Sequence, residues 1–148
     1  MICWDDERNG NGDIYAQRYS SAGVARGMNF RVNDDIGDTW QAVAAISVDM
    51  SGKFVICWED FRNMNTDIYV QRYDSTGIAQ SSNFKINDDI GSAWQSSPAI
   101  GVDGSGNFVI CWEDGRNGHS DIYAQRYNST GVAQGSKFKV NNDISQAA

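Results

Sequence analysis

Acids, arginines and tryptophans recur in this chain at one fixed spacing. Asp60 and Arg62 stand two residues apart in "WEDFRN", and Asp114 and Arg116 do so in "WEDGRN", 54 residues later; Arg8 belongs to the same series in "WDDERN". Carboxylate–guanidinium pairs of this kind can clamp an anionic or hydroxylated ligand, or they can brace a loop. Trp40 and Trp94, also 54 residues apart, end the polar stretches "NDDIGDTW" and "NDDIGSAW", which hold Asp35 and Asp89. A flat apolar ring beside carboxylates and amides suits sugar recognition: the ring packs on C–H faces and the polar groups take hydroxyls. The competing reading is that each indole fills a gap between structural units. These nine residues form the candidate ligand-binding set.

Other chemistries fit less well. Asp13, Asp67 and Asp121 each stand just before a strand-like run, where a short acceptor commonly bonds local backbone N–H groups. "NGNGD" and "NDD" offer oxygen ligands, but no calcium loop of the D-x-[DN]-x-[DN]-G-x₅-E type is present, and no metal or cofactor is assigned. Cys3, Cys57 and Cys111 occupy one repeat position without any CxxC pair, and read as buried small apolar residues. His119 is the single histidine and appears in one repeat alone. A glycosidase needs two carboxylates in distinct environments, whereas the acids here recur in near-identical settings. No G-x-S-x-G, Walker or HExxH motif occurs. The chain is therefore expected not to be an enzyme.

The elements that position these residues follow from the period. The phrase "CWEDFRNMNTDIYVQRYDSTG" returns as "CWEDGRNGHSDIYAQRYNSTG" and opens the chain as "CWDDERNGNGDIYAQRYSSAG". One repeat contains four short runs: "PAIGVD", "FVICWED", "DIYAQRY" and "KFKVN". Each is rich in β-branched or aromatic residues and bounded by Gly, Asn, Asp or Ser, the signature of strands and turns. In "FVICWED", Phe54, Ile56 and Trp58 share one face and Val55 and Cys57 the other, so the strand is covered on both sides. In "DIYVQRY", Tyr69 and Tyr73 oppose Ile68 and Val70. No window shows helical periodicity. Four antiparallel strands per repeat make one blade of an all-β propeller. The expected blades are residues 1–40 (lacking the innermost strand), 41–94 and 95–148 of one repeat domain.

The phrase "VDGSGNFVICWED" resembles the D-x-x-G-N-aromatic-V turn and strand of bacterial repeat propellers of the NHL and related types. The longer phrase "GNFVICWEDGRNGHSDIYAQRY" is similar to repeats of bacterial surface or secreted propellers, and the likeness covers the whole chain. It implies four-stranded blades and a secreted or cell-surface parent. "SVDMSGKF" departs from the sialidase box S-x-D-x-G-x-x-W by one extra residue and a missing Trp, which argues against sialidase chemistry.

Three blades leave an apolar face open at each end, and closed propellers have roughly 4–8 blades. Two copies joined head to tail would make a six-bladed ring, with "DISQAA" filling some of the place of a missing inner strand. Loops between second and third strands share one face of such a ring with the links between blades, and that face receives the candidate set. The net charge of −7 makes nucleic acid a poor partner, and no run is long and apolar enough for a membrane helix. Expected partners are a second copy of the chain and glycans. The first ten residues lack the basic and apolar regions of a signal peptide, so the compartment stays open. The expected function is a non-enzymatic, multivalent, lectin-like binding module; a structural or protein-interaction propeller without a small-molecule site is the alternative.

Overall fold

The computed structural model describes residues 1–88 and 91–142. Eleven strands form three antiparallel sheets, and no helix occurs among the described residues. The first sheet holds β1 (Ile2–Asp6), β2 (Asp13–Gln17) and β3 (Phe30–Arg31). The second holds β4 (Gln41–Val48), β5 (Phe54–Asp60), β6 (Asp67–Tyr73) and β7 (Phe84–Lys85). The third holds β8 (Gln95–Val102), β9 (Phe108–Asp114), β10 (Asp121–Tyr127) and β11 (Phe138–Lys139). Strands pair in chain order, and the sheets stack face to face as successive propeller blades.

Alternation along β5 and β6 splits the core into two layers. Phe54, Ile56, Trp58 and Tyr73 pack with Ile14, Ala16 and Val32 of the first blade. Val55, Cys57, Ile68 and Val70 pack with Phe108, Ile110 and Trp112 of the third. A period of two places successive side chains on opposite faces, so one strand supplies both layers. Phe54 stacks on Tyr73 at 4.7 Å, and Phe108 on Tyr127 at 4.9 Å. Cys3, Cys57 and Cys111 are free thiols, but only Cys57, in the middle blade, is buried as expected; Cys3 and Cys111, in the two end blades, are half-buried. Burial pushes the Cys57 thiol well above its ordinary range.

Two details differ from the sequence pattern. The inner strand begins at Gln95, ahead of Pro98, because a β-bulge lies between Ser96 and Ala99 and its match between Ala42 and Ala45. The bulge holds Ser97 and Val43 at φ 54°, a region that residues with a Cβ rarely adopt. The outer strands are only two residues long, because a side chain continues the ladder. Asn33 and Asn87 each accept a hydrogen bond from the backbone N–H of Ile14 or Ile68, at 2.9 and 2.8 Å.

Candidate functional site

The loop between β5 and β6 is held by Asp60. Its carboxylate accepts from the Trp58 indole (3.0 Å), the Arg62 backbone N–H (2.9 Å), and the Arg62 Nε (2.9 Å) and Nη2 (2.8 Å). The Arg62 guanidinium lies 4.2 Å above the Tyr69 ring. The third blade repeats this around Asp114, with Trp112, Arg116 and Tyr123, and the first around Asp6, with Trp4, Arg8 and Tyr15. Burial opposes ionisation of Asp114, but hydrogen bonds from Arg116 and Trp112 prevail and hold its carboxyl below the usual range. Asp60 and Asp114 are fully buried beneath their loops, with their oxygens already accepting these bonds. Arg62 and Arg116 also tie adjacent blades together, through Asp34 (2.9 Å) and Asp88 (3.1 Å).

A buried polar layer lies beneath the links between blades. The Asn33 amide donates to Asp13 (2.8 Å), Asp35 (2.7 Å) and Gln41 (2.9 Å). Asp13 accepts from side-chain amides of Asn9 and Asn33, rather than from the local backbone N–H groups expected of it. Asp35 turns into this layer and also accepts from the Thr39 hydroxyl at 2.9 Å. Its counterpart Asp89 lies outside the described residues, as does "DISQAA". Asn87 joins Asp67 to Gln95 in the same way, at 2.7 and 2.9 Å.

Trp40 and Trp94 stand above this layer at the rim, with half-exposed indoles (50% and 46%). Their carbonyls accept the backbone N–H of Phe61 and Gly115, each at 3.0 Å, which fixes each link against the next blade's loop. Thr39, Trp40, Ala42, Glu59 and Phe61 line an open, largely apolar recess of about 440 Å³. Glu59 is its carboxylate. It accepts the Ser97 backbone N–H at 2.8 Å, a group that the bulge turns out of the ladder, and Asp5 does the same for Val43 at 3.1 Å. Burial raises the Glu59 carboxyl above its ordinary value; the Ser97 N–H opposes this, and the charges of Asp5 and Glu113 add to it.

The structure thus gathers Trp40 with Thr39, Phe61 and Glu59, and sets Asp60, Arg62 and Asp35 behind them. Glu59 was not singled out by sequence reasoning. The acid at positions 5, 59 and 113 recurs at the 54-residue period and was there to be read. The bulge that holds it has no such signal, since neither Val43 nor Ser97 is glycine.

No protein-family model and no curated protein sequence matches the chain. Among solved structures it is similar to an endo-arabinase from Bacteroides thetaiotaomicron, with 15% identity and a TM-score of 0.49. The match covers 94% of this chain and 57% of that one, so the chain spans little more than half of its length.

Proposed function

We propose that the chain is a non-enzymatic binding module for carbohydrate, multivalent through its repeated links, and that a second copy completes a six-bladed ring. The observation that carries the binding reading is the half-exposed Trp40 indole, set beside Glu59, Thr39 and Phe61 at an open recess. An aromatic face with a few directional polar groups is the composition sugar sites need. Trp94 offers a second half-exposed indole one blade on, in different surroundings, and two weak sites on one rigid body gain affinity through avidity. The acids of the loops serve as framework in this reading: each is committed to an arginine and an indole in the same blade. A protein-interaction propeller is the second reading, favoured by the fully exposed Ile36 and Met64 among the linker and loop residues.

A glycan array followed by fluorescence titration of the best hit tests the proposal. Trp40→Ala is expected to weaken binding about tenfold, the loss of roughly 1.4 kcal/mol from one aromatic platform. An array without signal from the dimeric chain, or unchanged affinity in both Trp40→Ala and Trp94→Ala, would overturn it.

A further inference from the structure

Each junction between blades uses the same set of pairs, and each end of the chain carries one half of that set. At both junctions an outer-strand phenylalanine meets the tyrosine that ends the next blade's third strand. Phe30 lies 5.4 Å from Tyr73, and Phe84 lies 5.9 Å from Tyr127, between ring centroids. At both, an arginine reaches turn carbonyls of the next blade: Arg18 those of Ser75 (3.0 Å) and Thr76, Arg72 that of Thr130. At both, an arginine reaches back to the preceding link, Arg62 to Asp34 and Arg116 to Asp88. The 54-residue period leaves Tyr19, Arg8 and the turn at Ser21 on blade 1, and Phe138, Arg126 and Asn142 on blade 3.

Exposure marks the same residues. Ile56 and Ile110 are completely buried, whereas their equivalent Ile2 is 54% exposed. Tyr73 and Tyr127 are 5% and 7% exposed and Tyr19 is 40%. On the opposite end Val32 and Ile86 are 4% and 1% exposed and Val140 is 52%. Each of these residues is buried where its neighbouring blade is present and exposed where it is not. The two open faces therefore carry the complementary halves of these side-chain pairs, while blade 1 lacks a counterpart of β4 and β8, the inner strands through which both internal junctions also pack.

We infer that blade 3 receives blade 1 of a second copy of this chain, head to tail, through Phe138 against Tyr19, Arg126 against the turn carbonyls at Ser21, and Arg8 against Asn142. The inference rests on the ring reading above and adds the contacts that close it. Two copies form two identical junctions of this kind and one ring of six blades, within the known range of closed propellers. One position departs from the internal pattern. Asn142 stands where Asp34 and Asp88 stand, so Arg8 meets a neutral amide oxygen. The new junction lacks that ion pair, and the dimer is expected to respond weakly to salt.

Light scattering on a sizing column tests this with the 148-residue chain. The unaltered chain is expected at twice its 16.3 kDa mass. Tyr19→Lys and Phe138→Glu change exposed side chains, so each is expected to keep its fold by circular dichroism. Each is expected to weaken the dimer roughly thirtyfold or more, as loss of a buried aromatic anchor does. Mixing the two variants restores a dimer, because one junction is then native and the other sets the introduced ammonium against the introduced carboxylate. Arg126→Glu provides an independent break should either aromatic variant fail to fold. A monomeric unaltered chain would overturn this inference and the ring reading together. A dimer that persists undiminished in all three variants would overturn the pairing alone and leave a ring closed some other way.

Discussion

Trp40 and Trp94 occupy one repeat position, yet their indoles lean in opposite directions. The Trp40 ring lies on Gly12 of the preceding blade's loop, where a Cβ would come within 2.8 Å of the ring. The Trp94 ring lies on Gly115 of the following blade's loop, where a Cβ would come within 2.9 Å of Nε1. At the equivalent positions the other copy has bulk: Thr66 stands where Gly12 stands, and Phe61 where Gly115 stands. Each indole falls toward whichever neighbour lacks a side chain. The framework below is common to both links; the side on which a recess opens is decided by a single glycine in a neighbouring loop. At Trp40 this leaves the Phe61 side open as the recess, with Thr39 and Glu59 around it. At Trp94 the corresponding positions are Gly115, Ala93 and Glu113.

The common framework is the part whose loss should matter most. Asp60→Asn and Asp114→Asn each leave an arginine and an indole N–H facing an amide in place of a buried carboxylate. Each is expected to cost about 3 kcal/mol, read from the denaturant midpoint. Unequal costs would show that the two loops are not equivalent supports. Next in size is the lean itself. Gly115→Ala must displace the Trp94 ring, and Gly12→Ala the Trp40 ring, so each variant should shift the fluorescence of one tryptophan. Both outcomes carry a stability loss of about 1–3 kcal/mol from overpacking. An unshifted spectrum would break the comparison.

A smaller effect comes from the polar layer. The Gln41 side chain donates to the Thr39 hydroxyl at 3.2 Å, whereas the buried Gln95 Nε2 finds no partner among the described residues, and Ala93 replaces the threonine there. Ala93→Thr is expected to stabilise the chain by about 1 kcal/mol. The smallest effect is one of pH. Asp114 has a depressed folded value, so its contribution is present above the unfolded value and lost as pH falls through the folded one. Glu59 has a raised folded value, so its protonation as pH falls favours the fold. Unfolding midpoints from about pH 7 to about pH 3 should rise slightly and then fall. Glu59→Gln, which keeps an acceptor for the Ser97 N–H, should abolish the rise and leave the fall.

Much of the architecture was legible in the residues. The opposed faces of "FVICWED" became the two core layers, and the turn in "VDGSGN" folded as a tight loop in which Asp103 accepts the N–H groups of Ser105 and Asn107. These follow from period two and from local turn chemistry, which act over a few residues. The candidate site was legible in part. For the tryptophans in the links, the polar flanks left two readings open, an exposed platform or a plug between blades, and the structure leaves both indoles half-exposed. The commitment of Asp60 to Arg62 and Trp58 was one of two readings open to the pattern, since the same pair can face outward or inward.

By itself, the sequence determined the repeat, the strand faces, the positions of the links and the residues that each blade must offer its neighbours, because these depend on spacing along one chain. Only the tertiary structure decided the rest. The bulge at Ser97 presents the backbone N–H that holds the Glu59 carboxylate, and nothing local to Ser97 requires it. Gly12 and Gly115 direct indoles that lie 28 and 21 residues away along the chain. Whether Ile2, Tyr19 and Val140 are core or surface depends on which blade stands beside them. Those outcomes come from contacts between distant segments, where a side chain's environment is set by its neighbours in space rather than by its own flanking residues.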